Sequence, residues 1–262
     1  GCFWGGLMLY HCGFNPLYRQ ISDNMSLPRF ETLPHAGLPE WQYHQRRATI
    51  GRFHKLGGVL DFQQFAYAAA AANEAERREY HLDAARRTLH AVIDEHNEQA
   101  AERATRYQVP APTPIARHFS LQVDMGRKIN TAEFYGNQLD LLHNRLIVRG
   151  QGSQFGRFLF HDSETDAERA FARNPPNNAF CHAFLNPPYP AHFGRTVRET
   201  GEYFLNFCQE LFGSLHDIEA YTWDTECSDY FADGRDWWGT YFWTVYSPQS
   251  GLYTGITGSA TD

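Results

Sequence analysis

Gly239-Thr-Tyr-Phe-Trp-Thr-Val-Tyr246-Ser-Pro-Gln-Ser-Gly251-Leu-Tyr-Thr-Gly-Ile-Thr257 reads as two strands joined by a turn. Aromatic and β-branched side chains fill both halves, as a pleated and packed surface favours, and the five-residue connection holds both Pro and Gly. Glu219–Trp223 carries the same β-like composition just upstream. Further back, residues 195–212 fit an amphipathic helix, with Val197, Tyr203 or Phe204, Phe207 or Cys208, and Leu211 on one side. Gly213 follows, where a left-handed cap is easiest.

Working outward, residues 179–185 form an apolar run predicted as a strand, and the Asn174-Pro-Pro-Asn-Asn stretch ends a short helix expected over 165–173. Residues 145–149 and 157–161 are expected as two short strands around a glycine-rich turn, and 118–124 alternates like a half-buried strand. Val109-Pro-Ala-Pro-Thr-Pro114 forbids helix, because proline lacks the amide donor and restricts the residue before it. That stretch is a connector. From Leu60 through the alanine run 68–72 to about Tyr107, helix is expected: Leu82, Ala85, Leu89, Val92 or Ile93, Ala100 and Ala104 recur at three- and four-residue steps. Glu74 and Arg78 have the spacing that supports a helix surface. Residues 27–39 read as extended.

The fold class that follows is α+β: a helix-rich N-terminal part, then a mainly antiparallel sheet with a crossing helix and a C-terminal aromatic hairpin. Residues 1–24 are poorly patterned, and Met25 is a possible translation start. Residues 25–110 and 111–262 form either two regions or one domain.

Composition narrows the class. With 42% hydrophobic residues in 262, the chain has ample material for a core, which excludes disorder as its overall state. No window approaches the roughly 20 apolar residues of a membrane span, so no membrane role is expected and a cytoplasmic location is read. The five cysteines (Cys2, Cys12, Cys181, Cys208, Cys227) are odd in number and widely spaced, which points to reduced, mostly buried thiols. No metal is expected: His81, His90 and His96 lie at spacings that do not stack them, and the sequence leaves any cofactor open.

Charge is uneven. Residues 1–150 hold 17 Lys and Arg against 15 Asp and Glu, whereas 151–262 hold six against fifteen. A nucleic-acid backbone is therefore disfavoured as a partner of the C-terminal part, and a basic protein is favoured. The acidic residues Asp217, Glu219, Asp224, Glu226, Asp229, Asp233 and Asp236 are interleaved with Tyr221, Trp223, Tyr230, Phe231, Trp237 and Trp238. Aromatic anchors with a charged rim suit a protein-binding face. The binding residues expected on that face are Asp217, Glu219, Trp223, Asp224, Glu226, Asp229 and Trp237. The same carboxylates could instead serve a carboxylate-based hydrolase, or simply flank a buried tryptophan hairpin.

Three short stretches resemble known active sites. Asn186-Pro-Pro-Tyr189, after the apolar run, resembles the motif by which S-adenosylmethionine-dependent amino-methyltransferases hold a target amine, which makes Asn186 and Tyr189 catalytic candidates. Gly150-Gln-Gly-Ser-Gln-Phe-Gly156 is glycine-rich, but its spacing is short for that cofactor's loop. Gly1-Cys-Phe-Trp-Gly5 resembles the nucleophile motif of A-type peptide methionine sulfoxide reductases, without that family's downstream motifs. Val245-Tyr246 and Leu252–Thr257 together resemble the paired strands of GIY-YIG nucleases, whose arginine helix and metal-binding glutamate have no counterpart after Asp262. Absent a complete catalytic set, the leading expectation is a non-enzymatic interaction module, inhibitor-like or immunity-like. The alternative is an enzyme of the methyltransferase or hydrolase kind.

Overall fold

In the computed structural model, which describes residues 30–149, 157–159, 179–236 and 238–259, a five-stranded antiparallel sheet lies between helices on both faces. Its centre is the C-terminal meander: β6 (Glu219–Trp223), β7 (Thr240–Ser247) and β8 (Leu252–Ser259). The N-terminal strands add to its edges. β1 (Asp61–Phe65) pairs with β8, placing Phe62 opposite Ile256, and β2 (Gly126–Ile129) pairs with β6. β1 thus ties the helix-rich region to the C-terminal one.

Alternation along β7 sends Tyr241, Trp243 and Val245 to one face and Phe242 and Thr244 to the other. Against the first face pack α1 (Glu40–Lys55), α3 (Thr131–Tyr135), α4 (Phe180–Leu185) and α5 (Val197–Phe212). This core is mostly aromatic: Phe53, Phe134, Phe180, Phe184, Phe204 and Phe212 are wholly buried. Phe134 stacks on Phe180 at 4.9 Å, and Phe53 on Phe193 at 5.5 Å. α5 obeys its amphipathic pattern, with Phe204, Phe207, Cys208 and Leu211 buried, and stops at Gly213 with φ 72°. A small sheet of β3 (Leu139–Asp140), β4 (Arg145–Arg149) and β5 (Arg157–Leu159) completes the described strands.

The opposite face carries α2 (Glu74–Tyr107), a 34-residue helix that buries Ala85, Leu89, Val92 and Ile93 on Tyr221, Trp223 and Phe242. The α+β class and the aromatic hairpin are as expected. α2 begins later than the periodicity predicts, because Asn73 caps it by accepting from Glu76 N at 2.9 Å, and the Glu76 carboxylate accepts in turn from Ala72 N. Residues 61–65 are claimed by the sheet instead, where burial of Phe62 overrides helix propensity.

Three further expectations are corrected. Residues 179–185 are helical, since a continuous apolar run has no period to separate a buried strand from a buried helix. The strand expected at 118–124 lies downstream as β2. Ser120 N donates to Cys227 O, and Arg86 gives Leu121 O two bonds, so this backbone is satisfied without a ladder. α1 was not expected at all, because only Ile50 and Phe53 of its 16 residues are buried. Cys181, Cys208 and Cys227 are free, buried thiols, as read. No described helix is long and apolar enough to cross a membrane.

Candidate functional site

The acidic stretch after β6 forms three consecutive 3-10 turns, Thr225–Cys227, Asp229–Phe231 and Asp233–Asp236. Asp224 caps the first by accepting from Glu226 N at 2.8 Å, and Ser228 caps the second. Arg235 fastens them, donating to Thr225 O at 2.9 Å and pairing with Glu226 at 3.0 Å. These caps set the direction of every side chain in the stretch. Asp224, Glu226, Asp229 and Asp233 are exposed, whereas Tyr230, Phe231 and Cys227 are buried.

The expected binding residues therefore separate. Asp224, Glu226 and Asp229 come together. Asp217 is exposed but lies at the other end of β6, roughly 20 Å away at strand rise. Trp223 is 4% exposed, with its indole under α2, so it anchors the core rather than a surface. Trp237 lies outside the described residues. So do the Gly1–Gly5 and Gly150–Gly156 stretches and the helix expected over 165–173.

Glu219 belongs to a different construction. Trp223 Nε1 donates to Thr244 Oγ1 at 2.9 Å, and Thr244 Oγ1 lies 2.8 Å from His81 Nδ1. With the Thr244 hydroxyl donating a hydrogen bond to Nδ1, neutral His81 carries its own proton on Nε2, which sits 3.4 Å from Glu219 Oε1. Lys128 holds the other carboxylate oxygen at 2.9 Å and also pairs with Glu74, while Arg77 approaches at 3.5 Å. Burial depresses the His81 pKa, keeping the ring neutral. Burial opposes ionisation of Glu219, yet the bonds from His81 and Lys128 bring its carboxyl down to about 2. The order hydroxyl, imidazole, carboxylate is that of a nucleophilic triad. Thr244 and His81, however, are both wholly buried between α2 and the sheet, and the threonine oxygen is occupied by Trp223, so no substrate carbonyl can reach it. This is a structural network.

A second polar cluster joins three elements. Tyr230 Oη donates to Asp61 Oδ2 at 3.2 Å, and His54 Nε2, which bonds Leu60 O at 2.9 Å, stands 3.8 Å from Asp61 Oδ1. Burial raises the Asp61 pKa to about 6, with Glu95 adding repulsion and His54 opposing. No sequence signal marks this cluster, since Asp61 lies inside a segment whose composition predicts helix.

Asn186 ends α4. Its backbone amide and side-chain amide both donate to His182 O, at 2.9 and 3.3 Å, and its carbonyl accepts from Trp238 Nε1 at 2.8 Å. The side chain is thus directed back along its own helix, and the element before it is a helix rather than the strand that the methyltransferase resemblance places there. Tyr189 is 43% exposed nearby. A groove of about 1130 Å³ runs between α1 and α5, with Phe193 stacked on Tyr203 at 5.4 Å as its floor and Arg52, Arg195, Glu199 and Glu210 around it. Among the described residues no group of three or more His, Cys, Asp or Glu is arranged to hold a metal. Compared with known proteins, the chain matches no family model, no curated protein and no solved structure.

Proposed function

We propose that the chain is a non-enzymatic interaction module that engages a basic protein partner through the carboxylates of Asp224, Glu226, Asp229 and Asp233. One observation carries this reading: in the 3-10 turns after β6 the rings are turned inward and the acids outward, on a backbone pinned by Asp224, Ser228 and Arg235. The surface so presented is carboxylate-rich, and its acids are held without the entropy loss that flexible loops suffer on binding. Among these four, Glu226 is the one facing a described cation within salt-bridge distance, so the others remain available to a partner's Lys or Arg. Asp217 lies outside this face, and Glu219 supports it only by fixing β6.

The expectation changes in one respect. Affinity would come from charge complementarity, with fast, salt-sensitive association, because Tyr221, Trp223, Tyr230 and Phe231, expected as anchors beside the acids, are inside. Selection of displayed peptides on the immobilised chain tests this. Lys- and Arg-rich peptides should be enriched, and their binding should fall at least about tenfold in Asp224→Asn/Glu226→Gln/Asp229→Asn/Asp233→Asn. Neutralising Glu98 and Glu102, exposed on α2, should leave binding intact. Enrichment of neutral peptides, or equal loss in both variants, would defeat the proposal.

A further inference from the structure

After α2 the chain turns back at Gln108, a left-handed cap with φ 53°, and Val109 N donates to Ala104 O at 3.0 Å. It is caught again at Ile115, whose backbone N–H and C=O are both held by the Asn97 side-chain amide, at 2.8 and 2.9 Å. Arg117 then pairs with Asp94 at 2.6 Å. Between these ties runs Val109-Pro-Ala-Pro-Thr-Pro114, every residue of it exposed.

Chain geometry fixes the conformation of this strap. From Asn97 to Gln108 the helix rises about 17 Å. The return from 108 to 115 has seven steps, about 22 Å if fully extended as polyproline II. Little slack is left once the lateral step off the helix is made. Chemistry agrees: Pro110, Pro112 and Pro114 have φ fixed near −65°, and Val109, Ala111 and Thr113 each precede a proline and so are restricted to extended backbone. All six residues are driven to polyproline II, with carbonyls and proline rings facing water. Ala104 beneath is 5% exposed, so the strap lies against its helix.

We infer that residues 109–114 are a preformed polyproline II ligand for a protein domain with an aromatic-lined groove. Such grooves recognise proline rings and extended carbonyls, and they gain from a ligand that has little conformational entropy left to lose. Here both ends are tied before binding. Exposed Tyr107 extends the apolar surface at one end, and exposed Arg103 and Arg106 on the adjoining helix turns favour a groove with an acidic rim. This surface is independent of the acidic 3-10 turns, and its test is too.

Isolated SH3, WW and EVH1 domains, titrated by calorimetry with the intact chain, supply the test. At least one should bind saturably, and both Pro110→Ala/Pro112→Ala and Ala111→Glu/Thr113→Glu should weaken it by at least about tenfold. The second variant keeps every proline, so it reads groove access and not backbone stiffness. Ala111→Glu/Thr113→Glu should not shift the thermal midpoint appreciably, since the altered side chains are exposed, whereas Pro110→Ala/Pro112→Ala should lower it slightly by freeing the unfolded chain. The four acid-to-amide changes of the 3-10 turns should leave this binding in place. Failure of all three domains to bind at about 1 mM chain, or binding that survives either double variant, overturns the inference.

Discussion

The two faces of the central sheet are held by different physics. The face under α1, α4 and α5 is packed with rings, whereas the face under α2 threads a polar chain from Trp223 through Thr244 and His81 to Glu219 and Lys128. Stacked rings gain from buried area and tolerate many geometries; the polar chain is satisfied only if every member keeps its place. One face supplies stability in bulk, and the other fixes how α2 sits on the sheet.

The comparison can be broken at several points. Phe180→Ala, in the ring-packed core, should destabilise by about 3–5 kcal/mol in urea unfolding, because a buried phenyl leaves a cavity. Thr244→Val keeps the volume but strands both Trp223 Nε1 and His81, at about 2–3 kcal/mol. A loss as small as a surface change would mean that the polar chain contributes little. Glu219→Gln should lose about 2 kcal/mol at neutral pH. The Glu219 carboxyl titrates near 2 in the folded chain against an ordinary 4.5, so its stabilisation is present above 4.5 and vanishes as pH falls towards 2. Wild type and variant should therefore converge in acid.

Asp61→Asn should act in the opposite sense. Its folded carboxyl titrates near 6, above the ordinary 3.8, so the wild type loses stability as pH rises between those values. Allowing for its partial exposure, the amide should stabilise by about 1–2 kcal/mol above pH 6 and by almost nothing below pH 4. A pH-independent gain would place its origin elsewhere. The smallest effect belongs to Asp224→Asn with Asp229→Asn: under about 1 kcal/mol in stability, because asparagine can keep the cap that Asp224 makes.

Elements whose period was visible were legible in the sequence. α5, the body of α2 and the β7–β8 hairpin announce themselves through spacing, composition and the Gly213 cap. Elements decided by tertiary contact were not. β1 is a strand because β8 lies beside it, and α4 is a helix inside an apolar run that carries no periodic signal. The site was half legible for a related reason. Carboxylates interleaved with rings look like one mixed face in sequence, but 3-10 turns sort them, with Asp224, Glu226 and Asp229 outward and Tyr230 and Phe231 inward. Glu219 is legible as a carboxylate, but spacing along the helix hides its partner His81, because the contact that matters crosses from helix to sheet.

The strand order β1-β8-β7-β6-β2 has a consequence for how the chain is made. β1 and β2 leave the ribosome early, yet each must wait for a neighbour from the last elements of the fold, Asp61 for Thr257 and Lys128 for Tyr221. Until then α2 lacks Tyr221, Trp223 and Phe242, the larger part of the surface on which it lays Leu89 and Ile93. Closing a loop of nearly 200 residues is slow, and the apolar stripe of α2 stays exposed until that loop closes. During that interval the apolar stripe of α2 is open to non-native partners.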